Sequence, residues 1–260
     1  MKPAGPEVRA TRGGRAAGFG AILRGRSAWI YLASAAVIGT SFIATGQKWL
    51  LPFAQSLLAW PVLLLDIREG RLGDAVRHML FWALAVSLCT VEATVRFPLA
   101  AEQSILRGAA YREEMYAFIR TGAGAEGSPA LFVPQHIRHY LGTLVLSGLT
   151  LGLAGLTLGS VLLNYMNFYV GELIREGARP ALGAAFGWPV WSVLRVVSFT
   201  MGSIAMAHLT LGKLLKRGTV RPSATARLML WSFALFLADL LVKAFLAHSW
   251  RRILLRALEP

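Results

Sequence analysis

The sequence predicts an all-α fold, a polytopic integral membrane helical bundle, and three observations lead to this prediction. Of the 260 residues, 55% are hydrophobic and only 15% are charged, whereas a soluble domain usually has about 25% charged residues. The mean hydropathy is +0.54. The apolar residues also fall in runs of roughly 18 or more with few charges, which are long enough to cross a bilayer.

The apolar runs predict a single transmembrane domain over residues 28–250 with about six spans. Residues 99–120 have the pattern of an amphipathic helix that lies on the membrane surface. A glycine-rich link over residues 121–129 follows this helix. We expect the spans at about residues 28–45, 49–67, 75–97, 136–170, 181–211 and 228–247.

The second run leaves an alternative open. It contains Pro52 and Pro61, and proline removes a helical hydrogen bond, so residues 49–67 are either a kinked span or a re-entrant segment. A re-entrant segment leaves five spans. The distribution of Lys and Arg favours five spans slightly, whereas the length and hydrophobicity of the run favour six, which we adopt.

The charge of the chain belongs mainly to its tails and loops. The net charge is +14, and residues 1–27 and 251–260 are basic segments that we expect to be a flexible tail and a short C-terminal tail. No stretch outside the apolar runs is long enough for a nucleic-acid-binding module, so the basic balance indicates the lipid bilayer rather than a nucleic acid. With six spans both termini are cytoplasmic, and the Arg-, Ala-, Gly- and Leu-rich composition indicates a bacterial inner membrane.

Ionisable side chains inside a span are functional candidates, because an unpaired charge in a bilayer costs several kcal/mol (about 2.5–3.5 on insertion scales). The pairs Glu92/Arg96 and Asp239/Lys243 are spaced i,i+4, which places both members on one helix face. Arg195 in the fifth span lies at a depth where it competes with Lys243 for Asp239. Two cations around one carboxylate predict an excess positive charge suited to an anionic solute or a proton-linked switch.

The histidines raise a second possibility. In the six-span arrangement, histidines near each membrane face resemble the axial ligands of a bis-histidine haem protein, namely His78, His139, His208 and His248. Three of these lie at span ends, where histidine is common. We therefore expect no cofactor, and we keep a haem-binding cytochrome subunit as the alternative.

Four glycines in the fourth span form small-xxx-small motifs, which allow close helix packing in membranes: Gly148, Gly152, Gly155 and Gly159. They predict one of two arrangements. Either the glycines form a packing face for another subunit or for a second copy of the chain, or they pack against another span of the same chain. Known catalytic motifs are absent from the sequence, so we assign no catalytic residue. The sequence thus favours a non-enzymatic transporter, permease or membrane-complex subunit, with a structural or assembly subunit as a further alternative.

Overall fold

The computed structural model describes residues 23–215 and 222–259, and it confirms the predicted fold class. Helices make up 88% of the described residues, which include no strand. Within this part of the chain, six helical segments are long and apolar enough to cross a membrane. They are Gly25–Thr45, Leu50–Arg68, Leu72–Arg96, Leu153–Glu176, Pro180–Leu214 and Pro222–Leu258.

The helices follow one another with short connections. In chain order they are α1 Gly25–Ser41, which continues as a 3-10 helix to Thr45, α2 Leu50–Arg68, α3 Leu72–Arg96, α4 Pro98–Ser104, α5 Gly108–Thr121, α6 Pro129–Leu149, α7 Leu153–Glu176, α8 Pro180–Phe186, α9 Val190–Leu215 and α10 Pro222–Leu258. Large apolar side chains point away from the protein along these helices, such as Ile30, Leu88 and Phe245, which is 80% exposed. Such a surface suits contact with lipid.

Several element bounds differ from the sequence-based expectation. The second apolar run is one continuous helix, α2, with Pro61 in its interior. The segment expected as one surface helix over residues 99–120 is divided into α4 and α5, because Arg107 adopts a positive φ of 62°. The last helix is longer than residues 228–247 and includes most of the expected C-terminal tail. Of the basic segment 1–27, residues 1–22 lie outside the described residues.

The largest difference is in the segment expected as a single span over residues 136–170. It forms two antiparallel helices, α6 and α7, which we call the hairpin. Leu151 and Gly152 end α6 with φ values of 52° and 95°. Beyond this turn the two arms touch, since a Cβ at Gly155 would collide with Ser147 Oγ.

The tip of the hairpin lies inside the thickness of the bundle. A Cβ at Gly152 would lie 2.7 Å from Leu63 Cδ2 and 3.7 Å from Ala207 Cβ. From these points α2 continues to Arg68 and α9 to Leu215, which adds about 8–12 Å at about 1.5 Å per residue. The hairpin therefore enters and leaves the bundle at one face and stops about 10 Å short of the other.

Protein groups satisfy the backbone at the tip. The indole Nε1–H of Trp60 donates to the carbonyl of Leu151 at 3.0 Å. The N–H of Gly152 donates to the Ser147 carbonyl at 2.8 Å, and the N–H of Ala154 donates to Thr150 Oγ1 at 2.8 Å. Because irregular backbone at membrane depth needs partners within the protein, these bonds allow a helix break there.

The two faces of the bundle carry different elements. At the first face α1 begins, α2 and α9 end, and Arg24 at the start of α1 pairs with Glu69. At the second face lie α4, α5, α8 and the end of α10, where the N–H of Arg179 donates to the Ala257 carbonyl at 3.1 Å. The described residues therefore begin at one face of the bundle and end at the other.

Candidate functional site

Arg195 and Asp239 form a bidentate ion pair between α9 and α10. Nε and Nη2 of Arg195 each donate to one carboxylate oxygen of Asp239 at 3.0 Å. Asp239 is fully buried, whereas the Arg195 side chain is 19% exposed. This fork-to-fork geometry is the strongest arrangement for such a pair, and it fixes the guanidinium plane beside the hairpin.

Lys243 pairs with Glu126 and not with Asp239. Its Nζ lies 2.8 Å from Oε2 of Glu126, at angles outside hydrogen-bond geometry, so the contact is an ion pair. The Lys243 side chain is 0% exposed. The sequence had suggested two cations around one carboxylate, but Glu126 supplies a second acid. We call Glu126, Arg195, Asp239 and Lys243 the buried charge cluster; its formal charges balance.

Glu126 lies in the glycine-rich link, and three features fold that link onto α10. Gly122 ends α5 with a φ of 77°, and Arg251 on α10 donates to the Phe118 and Arg120 carbonyls at 3.0 and 2.7 Å. A Cβ at Gly127 would lie 2.7 Å from Phe118, so glycine is needed for this approach. The link thereby brings a carboxylate from the second face to Lys243.

The charge of Glu126 depends on its neighbours. Burial by itself would raise the pKa of the Glu126 carboxyl, but the ammonium of Lys243 and the Arg195 guanidinium outweigh burial and lower this pKa below its ordinary value. Glu126 is therefore ionised at neutral pH, as the ion pair requires.

The α6 arm of the hairpin contributes two aromatic rings to the cluster. Nδ1 of His136 lies 3.4 Å from Oδ2 of Asp239, a contact outside hydrogen-bond geometry. The Phe132 ring lies 4.6 Å from Nζ of Lys243, within the range of a cation–π interaction. Neither residue was a candidate in the sequence, because His136 precedes the apolar stretch and Phe132 carries no charge.

An internal cavity of about 80 Å³ lies between the hairpin and helices α2, α3 and α9. This volume holds several water molecules or a small polar group, since one water needs roughly 10–15 Å³ by the same measure. The polar side chains around Arg195 include those of Tyr111, His139, Tyr165 and Ser192, and Thr143, Thr200 and Ser203 also line the cavity. Leu63, Met79 and Ile204 line it further towards the first face. Of the buried charge cluster, Arg195 alone reaches this cavity.

The cavity lining offers hydrogen-bond donors around the guanidinium. Asp239 uses Nε and Nη2 of Arg195, which leaves the remaining N–H groups of the fork for water or a ligand. The Tyr111 and Tyr165 rings lie 4.6 Å apart. Burial raises the pKa of Tyr111 well above its ordinary value, so its hydroxyl stays protonated and can donate.

The Glu92/Arg96 pair forms within α3 but far from this cluster. Arg96 Nε donates to Glu92 Oε1, and the side chains of Glu92 and Arg96 are 58% and 69% exposed, respectively. The pair lies at the outer surface near the second face, so it does not contribute to the cavity.

The candidate haem ligands have separate surroundings. Nδ1 of His78 lies 2.7 Å from Oδ2 of the buried Asp66, and Nδ1 of His208 lies 3.0 Å from Thr225 Oγ1. The His248 ring packs against Phe118, and His139 is the one of the four that lines the cavity. Within residues 23–215 and 222–259, no group of three or more His, Cys, Asp or Glu side chains is arranged to hold a metal ion.

The four glycines lie at the hairpin, and three of them make contacts within the chain. Gly155 faces Ser147, Gly152 faces Leu63, and a Cβ at Gly148 would lie 3.2 Å from Met206. Gly159 has open space at its Cβ position and lines the cavity. These contacts explain the small residues by packing between the hairpin arms and their neighbours.

Comparison with known proteins adds no further assignment to this site. No protein-family model, no curated protein and no solved structure matches the chain.

Proposed function

We propose that this protein binds a charged or amphiphilic solute within the membrane and works as a transporter or permease, or as the solute-binding subunit of a membrane complex, without catalysing a reaction. One observation carries the proposal. Arg195 lines a cavity whose walls come mostly from helices that are long and apolar enough to cross a membrane. Charged groups in such surroundings are functional candidates by default.

The energetics of the buried charge cluster support a role beyond holding helices together. Buried ion pairs are expensive to desolvate, and apolar replacements are often neutral or stabilising by about 1–4 kcal/mol. Lys243 and Asp239 are fully buried and already paired, so they hold Arg195 and the link in place. Arg195 lines the cavity, so an anionic group bound there would complete the hydrogen bonds of the N–H groups that Asp239 leaves free.

The site suggests an anionic solute group rather than a cation. The carboxylates of the cluster are engaged by Arg195 and Lys243, and Arg195 is the member of the cluster that lines the cavity. We place the protein in a bacterial inner membrane with its first face in the cytoplasm, because the segments adjoining that face hold more Lys and Arg.

Thermal unfolding of the full chain in nanodiscs tests this proposal with acetate, octanoate and inorganic phosphate as probes. A ligand at about 100 times its Kd stabilises the folded state by about 2.7 kcal/mol. We expect at least one probe to raise the Tm of the wild type by several degrees but not that of the double variant Arg195→Leu/Asp239→Asn, which removes both charges together.

The matched control is Glu92→Gln/Arg96→Leu, which removes an exposed acid–base pair and should keep the response of the wild type. If every probe shifts the wild type and the Arg195→Leu/Asp239→Asn variant equally, or shifts neither, the assignment of the site is wrong.

A further inference from the structure

A second cavity, of about 350 Å³, opens beside the first one. We call it the groove. Its lining comes from α3, α7 and α9 with Trp188 before α9, and it is apolar except for two serines and the indole N–H: Leu80, Ala83, Leu84, Ser87, Leu163, Met166, Trp188, Ser192, Val193, Val196 and Val197. The groove and the internal cavity share part of their walls, namely Ala83, Leu163, Met166, Ser192 and Val196.

The groove opens towards lipid. Leu84 on α3 and Val193 on α9 line it and are 58% and 54% exposed. Both helices are among those long and apolar enough to cross a membrane, and their outward side chains face the acyl chains of the bilayer. An alkyl chain in the bilayer can therefore reach the groove without passing through water.

Two of the three polar groups in the groove already make hydrogen bonds within the protein. Ser192 Oγ donates to the Pro189 carbonyl at 2.7 Å, and Trp188 Nε1 donates to Asn167 Oδ1 at 2.8 Å. The groove therefore suits a hydrocarbon chain. Going from the groove into the internal cavity, the first charged side chain is that of Arg195, which lies one helical turn from Ser192 on α9.

We propose that the site takes a single-chain amphiphile with a small anionic headgroup, a carboxylate or a phosphate, which enters sideways from the bilayer. The chain lies in the groove between α3 and α9, and the headgroup binds the free N–H groups of Arg195. The internal cavity of about 80 Å³ limits the headgroup to this small size, because drug-sized ligands need about 300–1,000 Å³. This inference rests on the proposed function and names its solute class.

Photolabelling of the full chain in nanodiscs tests the inference. The probes are a long-chain fatty acid and a lysophosphatidic acid, each with a diazirine in the chain, and the matching fatty alcohol as the neutral control. We expect labels from the acids on residues 80–87 and 188–197, and at least tenfold less labelling there by the alcohol. The acid that labels more strongly distinguishes carboxylate from phosphate.

Two variants one helical turn apart locate the entry. Val193→Trp fills the groove from its lipid-facing wall, and we expect it to reduce labelling about tenfold. Val190→Trp is the matched control, because Val190 is 49% exposed on the same helix but does not line the groove, and it should label like the wild type. Equal labelling of the two variants, or equal labelling by acid and alcohol, overturns the inference.

The same variants separate this inference from the proposed function. If the response to acetate or phosphate depends on Arg195 while photolabelling is insensitive to Val193→Trp, a water-soluble anion binds and only the lateral entry is wrong. If neither the small anions nor the chain-bearing acids respond to Arg195→Leu/Asp239→Asn, both proposals fail.

Discussion

Nζ of Lys243 lies 2.8 Å from Oε2 of Glu126, and this contact joins the last long helix to the link before the hairpin. Asp239, one turn before Lys243, is occupied by Arg195 on α9. Two neighbouring residues of α10 therefore hold two different elements. Asp239 binds Arg195 of α9, and Lys243 binds Glu126 of the link at the second face. Balanced charges at this junction keep Arg195 oriented towards the cavity.

Breaking the Glu126–Lys243 pair should destabilise the protein more than removing both charges. Glu126→Gln leaves the fully buried Lys243 without a counter-charge, and removal of one partner of a buried pair costs about 3–5 kcal/mol. The double variant Glu126→Gln/Lys243→Met should recover most of that loss. The measurement is the free energy of unfolding from SDS titration in mixed micelles.

The control for this cycle is Glu92→Gln, which breaks an exposed pair and should cost about 0–1 kcal/mol. The cycle also needs the single variant Lys243→Met. If the loss in the double variant equals the sum of the losses in the two single variants, Glu126 and Lys243 do not interact.

The same carboxylate predicts a pH dependence. The folded-state pKa of Glu126 is lowered relative to an unfolded value of about 4.3, so the folded state gains stability from this group above that pH. The gain is lost as the pH falls through the folded value. The difference in unfolding free energy between wild type and Glu126→Gln should therefore stay constant from pH 8 to about 5 and shrink below about 4. A difference that instead grows as the pH falls through about 6 would mean that the pKa is raised.

Two glycines at the hairpin should respond oppositely to alanine. Gly152 has a φ of 95°, and a Cβ there would lie 2.7 Å from Leu63, so Gly152→Ala combines backbone strain with a clash and should cost about 1–3 kcal/mol. Gly159 is helical with open space, and Gly159→Ala should stabilise by about 0.4–1 kcal/mol. Thermal unfolding of both variants checks this, and equal effects would contradict the tip geometry.

The hairpin also predicts a membrane topology. Arg26 at the start of α1 and Lys213 near the end of α9 lie at the first face, whereas Arg252 on α10 lies at the second. In a Cys89→Ala background, Arg26→Cys and Lys213→Cys should react with a membrane-impermeant maleimide from one side of the membrane. Arg252→Cys should react from the opposite side. Six conventional spans would instead give labelling of Arg26→Cys and Arg252→Cys from one side and of Lys213→Cys from the other.

The apolar runs were enough to predict the helical membrane fold, because hydrophobicity over a span-length window depends on composition alone. They were not enough to predict the hairpin, since its turn depends on the φ values of Leu151 and Gly152 and on the Trp60 indole from another helix. A long, glycine-rich and mainly apolar stretch such as residues 136–170 fits either one bent helix or two packed helices. A re-entrant segment is one interpretation of residues 49–67 from the sequence, but these residues form one continuous helix. The chain turns back within the bundle at the α6–α7 turn instead.

The candidate site could be predicted in part. Arg195 and Asp239 were found because charges inside apolar runs are conspicuous, and the structure pairs them. Glu126 was missed because it lies in a glycine-rich link, where an acidic residue is usually solvated. A signal was present, however: two bases and one acid within the spans leave an uncompensated charge, and burial requires a second carboxylate from elsewhere.

The most direct test of an anion site at Arg195 is native mass spectrometry of the protein purified from its own membranes. The measurement compares the wild type with Arg195→Leu/Asp239→Asn, using Glu92→Gln/Arg96→Leu as the control. We predict a bound anionic species on the wild type and on the control that is reduced at least tenfold on the Arg195→Leu/Asp239→Asn variant. Equal occupancy in all three proteins, or no bound anion on the wild type, would contradict the account.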